Sequence, residues 1–239
     1  MANESKRLIW DEEGKKTYET GVSNGVLYVM GADGKYGNGI AWNGLTKVTE
    51  SPSGAEATPI YADNQKYLNL MSKEEFGASV EAYTYPEEYA ECDGSKEIAP
   101  GVYAGQQTRK TFGLAYTTIV GNDTAGEDYG KKIHLIYGAK AAPSQKDYGT
   151  QNESPEAITF SWELKTTPVN VNIEGVKPMA SLVIDSTKTT DEKLKKIEDI
   201  LYGTETESPR LPLPDEVVEI LKAEDAGGTS DSPVGPERS

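Results

Sequence analysis

Along the first two-thirds of the chain, apolar and polar residues alternate with a period of two, which predicts strands with one face buried and the other wet. The clearest run is Ala157–Thr167, where Ile158, Phe160, Trp162 and Leu164 alternate with Thr159, Ser161, Glu163 and Lys165. Phe76, Ala78, Val80 and Ala82 share one side of Phe76–Tyr85, and Phe112, Leu114 and Tyr116 share one side of Thr111–Val120. Ile133, Leu135 and Tyr137 do the same within Lys131–Ala139. Val22–Met30 and Met179–Ile184 add two more strands. Three Asn-Gly pairs, at Asn24-Gly25, Asn38-Gly39 and Asn43-Gly44, predict hairpin turns. Between the strand-like flanks Leu45–Glu50 and Pro59–Ala62 lies Ser51-Pro52-Ser53-Gly54-Ala55, which has no core residues, so a long hairpin arm or extended loop is expected over Thr46–Lys66.

The period then changes. Thr189 followed by Glu192 spells a capping box, with Asp191 also favourable in a first helical turn. Leu194, Ile197, Ile200 and Leu201 fall on one helical stripe that Gly203 closes, which predicts a helix over about 190–202. Leu211–Pro214 reads as extended and 215–222 as a second short helix. From Ala226 onward Gly, Ser, Pro and Asp predominate without periodicity, so 226–239 is expected to be a disordered tail. Many consecutive antiparallel strands followed by helices predict one mainly-β domain over residues 1–225, a β-sandwich or barrel with a helix on its flank.

Composition narrows the function. The formal net charge is −15, from 39 acidic residues against 24 Lys and Arg, the opposite of the clustered cations that grip nucleic acid by displacing phosphate counterions. Tyrosine dominates the aromatics, 14 against 3 Phe and 3 Trp; its amphipathic ring suits half-buried strand faces and subunit contacts. No run of 18 apolar residues predicts a membrane span. The opening Met1–Arg7 is polar and charged with no apolar core behind it, so no secretory leader is expected and assembly in a cytoplasm is.

Catalytic chemistry is nearly silent. The single cysteine, Cys92, excludes a disulfide framework, and its neighbours Glu91 and Asp93 would suppress a thiolate. The single histidine, His134, shares a face with Ile136, opposite Ile133, Leu135 and Tyr137, and no orienting acid is identifiable from the sequence; it reads as a structural or surface histidine. The acidic loop Asn122–Asp128 fails the EF-hand spacing, and Gly37-Asn38-Gly39 is followed at position 42 by Trp rather than Gly. Hence no catalytic, cofactor-binding or metal site is expected.

A set of ordered segments carries a resemblance. Ala41–Leu45, Thr49–Thr58, Tyr61–Asn64, Lys66–Leu70, Glu81–Pro86, Ala99–Tyr103 and Ser154–Trp162 together resemble the major tail proteins of siphophages and prophages from Gram-positive bacteria, over about Trp42 to Leu221. The resemblance implies a tail tube fold and a structural virion protein. Hexameric rings would stack into a hollow tube around a tape-measure protein, between tail initiator and terminator proteins, and double-stranded DNA would pass without specific binding. It also implies loops that reach neighbouring subunits. On that basis Glu50, Ser51, Pro52, Ser53, Gly54, Ala55 and Glu56 are expected inter-subunit contacts, and Glu163 and Lys165 are expected to face the lumen. An acid-rich wall would repel phosphate and keep the bore slippery. Two rivals share these features in part: a tube subunit of a contractile bacteriocin or injection particle, and a carbohydrate-binding β-sandwich that uses its tyrosines as a platform.

Overall fold

The computed structural model describes residues 8–151, 153 and 156–223. Its strands are β1 (Thr17–Met30), β2 (Tyr36–Trp42), β3 (Leu45–Glu50), β4 (Ala57–Ala62), β5 (Gln65–Met71), β6 (Gly77–Ala82), β7 (Lys96–Ala99), β8 (Val102–Ala104), β9 (Phe112–Asn122), β10 (Gly126–Ala141), β11 (Phe160–Thr166) and β12 (Ser181–Asp185). Its α-helices are α1 (Asp191–Tyr202) and α2 (Pro214–Lys222), and short 3-10 turns cover Glu87–Glu91 and Ser186–Lys188. One antiparallel sheet runs β2-β1-β9-β10-β11-β6-β3, with β12 added to β10.

Three central strands are apolar on both faces, so the sheet must be covered twice. Leu27 of β1, Phe112, Leu114 and Tyr116 of β9, and Ile136 of β10 enter one core. Val26 and Tyr28, Ala115, and Ile133, Leu135 and Tyr137 enter another on the opposite side.

The first core is closed by the sheet itself. Lys132–Ile136 of β10 pairs with β12, whereas Ala139–Ala141 pairs with β11. Between them Gly138 adopts φ +60°, and the ladder with β9 shifts between Ile136 and Ala139. Such a bulge bends the strand and changes the phase of its faces; both Ile136 and Ala139 therefore enter the same core. From this bend β11, β6 and β3 form a wing folded over the central strands. Trp162, Leu164, Ala78, Val80 and Ala82 of the wing pack against Leu27, Phe112 and Leu114, and the result is a β-sandwich.

The second core is closed by helices. Leu194, Ile197 and Leu201 of α1 and Val217 of α2, all buried, pack on it together with Leu211. A helix end leaves its last carbonyls without intrahelical donors. Here Gly203 N–H serves Asp199, Arg210 N–H serves Ile200, and the buried Tyr28 hydroxyl donates to the Leu201 carbonyl at 2.6 Å. The Tyr137 hydroxyl donates to the Pro212 carbonyl at 2.9 Å, fixing the extended link to α2. Gly39 N–H donates to the Pro209 carbonyl, and a Cβ at position 39 would lie 2.7 Å from the Tyr28 ring. Residue 39 must be glycine for this link to dock.

The mainly-β sandwich with a flanking helix is as the periodicity predicts, with local corrections. The strand expected from Ala157 starts at Phe160, where pairing to β6 begins, and Ile158 is exposed. The Thr189–Glu192 capping box does not form. Asp185 instead caps the 3-10 turn through Thr187, Thr189 Oγ1 donates back to the Asp185 carbonyl, and Thr190 becomes the N-cap without a side-chain bond. Of the Asn-Gly pairs, only Asn43-Gly44 connects two strands; Asn24-Gly25 lies in an irregular stretch of β1, and Asn38-Gly39 lies inside β2. The expected tail, 226–239, lies outside the described residues.

Two substitutions test this account. Tyr28→Phe orphans the Leu201 carbonyl and is expected to lower unfolding stability by about 1–2 kcal/mol in urea titration. Gly138→Ala would put a Cβ 2.1 Å from the Thr167 carbonyl oxygen at positive φ; the expected loss is larger, about 3 kcal/mol or more.

Candidate assembly surface

The hairpin β4–β5 stands apart from both cores. Among the described residues its strands pair only with each other, and every position on them is exposed. Ala62 pairs with Gln65 around Asp63 and Asn64, both at positive φ, the two-residue turn whose twist matches a hairpin. Ile60 lies opposite Leu68, and Thr58 lies opposite Leu70, so Ile60, Leu68 and Leu70 share one face. Tyr61 and Tyr67 remain 67% and 72% exposed, and Met71 is exposed as well. Burying side chains of this kind is worth about 1.5–3 kcal/mol each, and an isolated two-stranded hairpin is marginal in water. This hairpin therefore carries an apolar face that no described residue of the body covers.

Sequence reasoning places the arm too early in the chain. Thr46–Glu50 belongs to β3 of the wing, and the tip is Asp63-Asn64 rather than the Ser-Pro-Ser-Gly stretch. Ser51–Glu56 forms one leg of the root: Ser53 N–H and Glu75 N–H each donate to the other residue's carbonyl at 2.8 Å, and Glu56 N–H donates to Ser72 Oγ. The signal for the true span was available in the alternation of Ile60, Leu68 and Leu70 around two turn-forming residues.

The root and the expected lumen residues meet. Ser51, Pro52 and Ser53 line a cleft of about 380 Å³ together with Glu163 and Lys165. Glu163 and Lys165 are exposed on the outer face of β11 and pair with each other at 2.7 Å. On the same outer face Lys47 of β3 lies 3.8 Å from Glu81 of β6. Glu163–Lys165 and Glu81–Lys47 thus form two ion pairs on this face, while the exposed Lys140 of β10 lies cross-strand from Lys165.

Glu50 turns the other way, into the body. Its Oε1 accepts the Tyr116 hydroxyl at 2.8 Å and lies 3.4 Å from His134 Nδ1. The adjoining His134 and the Tyr116 hydroxyl hold the Glu50 carboxyl below the usual range, against the upward pull of burial. His134 itself is buried and stacked on the Tyr116 ring, 4.6 Å between centroids. Its Nε2 is 3.0 Å from Thr118 Oγ1 and 3.5 Å from Glu19 Oε1. The sequence showed no acid beside this histidine because Glu19 and Glu50 arrive from β1 and β3, far along the chain. The face expected for His134, shared with Ile136, is the face it occupies.

Elsewhere little is poised for chemistry. Cys92 is buried in the sandwich core, where burial above all pushes its thiol up to about 12, Lys110 opposing and Glu91 and Asp93 adding. In the acidic loop the Asn122 side-chain oxygen accepts the Thr124 and Ala125 N–H groups, and Asp123 accepts the Gly14 N–H. Other apolar exposure lies on Leu8, Ile9 and Trp10 and on the β7–β8 hairpin at Ile98, Val102 and Tyr103. No protein-family model matches the chain, and no curated protein matches it in sequence.

Because the arm makes no core contact, the double substitution Ile60→Ser with Leu70→Ser is expected to leave monomer stability within about 0.5 kcal/mol of wild type in urea unfolding. A loss of about 2 kcal/mol or more would mean that the arm packs on its own body.

Proposed function

We propose that this protein is a structural tail tube subunit, assembling through its hairpin arm into hexameric rings that stack into the hollow tail of a virion. The observation that carries the reading is the uncovered β4–β5 hairpin on a body whose two cores are already closed. A second copy offers such a hairpin both an apolar cover and a sheet edge to extend, which satisfies groups that would otherwise invite aggregation. The ordered segments that resemble major tail proteins agree with this, since Tyr61–Asn64 and Lys66–Leu70 lie on the arm itself.

In this reading the outer face of the β3–β6–β11 wing lines the bore around the tape measure, with initiator and terminator proteins at the tube's ends. Each cation there, Lys47 and Lys165, already has a carboxylate beside it. Phosphate would have to compete with those partners, so DNA slides past without tight binding. Paired charges here add to the repulsion of phosphate expected of an acid-rich wall. The virion is the site of action and the host cytoplasm the site of assembly.

Negative-stain microscopy with light scattering tests the proposal on two proteins: the full chain, and a variant with Ala57–Met71 replaced by a short Gly-Ser linker. Full-length protein is expected to form six-fold rings or tubes, alone or with initiator and tape measure. The armless variant should stay monomeric with unchanged unfolding, its critical concentration raised about 100-fold or more by the lost apolar burial. Full-length protein that stays monomeric with initiator and tape measure present would overturn the tube reading. An armless variant that assembles normally would remove the arm from it.

A further inference from the structure

We propose that His134 is a proton-operated latch that ties the root of the arm to the central sheet. The proton inventory follows from geometry. Thr118 Oγ1 donates its one hydrogen to Glu19 Oε1 at 2.6 Å, so at its 3.0 Å contact with His134 it can only accept, and Nε2 must carry a hydrogen. A neutral ring then has its lone pair on Nδ1. That atom is buried without a hydrogen-bond partner and faces the Glu50 carboxylate at 3.4 Å, acceptor against acceptor. A proton on Nδ1 converts the repulsion into a charge-assisted contact. Glu50 is the last residue of β3, directly before the root residue Ser51, so the contact pins the point where the arm leaves the wing.

Every element around the ring contributes. From β1 comes Glu19, whose other oxygen accepts Lys132 Nζ at 2.5 Å. From β9 come Tyr116 and Thr118, and from β3 comes Glu50. From β12 the cross-strand neighbour is Val183, with Asp185 farther along, opposite Lys132. Two carboxylates therefore face one imidazole. The sign follows from the geometry: a proton on Nδ1 closes the contact with Glu50, and its loss opens it. The acid limit has the opposite sign. In Glu19 the bonds from Lys132 and Thr118 outweigh burial, so both carboxyls stand below the ordinary 4.5, and their contribution is lost only as pH falls through that lowered range.

The chain has one histidine, so in tag-free, full-length protein the imidazole is read by NMR without assignment ambiguity. Hydrogen-exchange protection of the Ser51, Ser53 and Glu75 amides, which bond across the root, is followed over the same pH series. Expected are a neutral ring protonated at Nε2 and a fall of about tenfold in those protection factors as the ring deprotonates, the scale of one charge-assisted contact. The variant Glu50→Gln removes the carboxylate that a proton on Nδ1 would pair with while keeping an oxygen for the Tyr116 hydroxyl; its root should lose the step. His134→Gln should lose the step as well. Protection factors that stay flat across the wild-type titration, a neutral proton on Nδ1, or an undiminished step in Glu50→Gln would each overturn the latch.

Discussion

The structure depends on strands β1, β9 and β10 being apolar on both faces. A sheet of this kind cannot stop at one cover, and the chain provides two from different materials. On one side the sheet covers itself, by turning at Gly138 so that β11, β6 and β3 return over Leu27, Phe112 and Leu114. On the other side α1, α2 and the link between them lie over Val26, Tyr28, Leu135 and Tyr137. With both debts of exposed apolar surface discharged inside one chain, the uncovered face of β4–β5 stands out. It is not spare core, because among the described residues both cores are already closed.

Joining a helix layer to a sheet leaves polar ends to satisfy, and tyrosine meets this need. Tyr28 and Tyr137 bury their rings in the second core and spend their hydroxyls on the Leu201 and Pro212 carbonyls. Tyr36 accepts the Gly138 N–H at the bulge, and the Tyr202 hydroxyl meets Thr117 Oγ1. Phenylalanine would fill the same volume but leave helix-end and bulge groups without partners in a dry site. Desolvation raises Tyr28 and Tyr137 far above the usual phenol range, so these hydroxyls remain donors at any pH the protein meets. The tyrosine-rich composition is explained in part by internal joinery, with Tyr61 and Tyr67 left over for the surface.

How much of this was legible in the sequence depends on the range over which each feature is decided. Period-two patterning over β6 and β11 was readable because a strand's own residues report which face is buried; in β9 and β10 it found the strands but predicted one wet face, whereas both faces are buried, one under the wing and one under the helices. The helical stripe Leu194, Ile197, Leu201 was readable for the same reason. Turn chemistry was less secure: Asn38-Gly39 has a hairpin dipeptide but sits inside β2, where Pro209 and Tyr28 demand a residue without a side chain. The capping box lost to Asp185, whose 3-10 turn moved the helix start by one residue. The ring of groups around His134 was not readable at all, since its members come from four strands and meet only after the wing has folded.

The arm leaves from the end of β3 and returns into β6, adjacent strands of the wing, so a force on the arm enters the wing along its hydrogen-bond ladder. Wing and central strands are joined along one edge by the β10–β11 ladder at Ala139–Ala141; away from that seam they meet mainly through apolar packing, which resists separation but does little to prevent sliding, because it has no preferred direction. Polar contacts are directional. The Tyr116–Glu50 bond and the His134–Glu50 approach sit where β3 ends over β9 and β10, the corner at which a pull on the arm would first shear wing from sheet. Placing the chain's one histidine there makes the stiffness of that corner depend on a single proton. The apolar cores on either side hold the fold whatever the state of that proton.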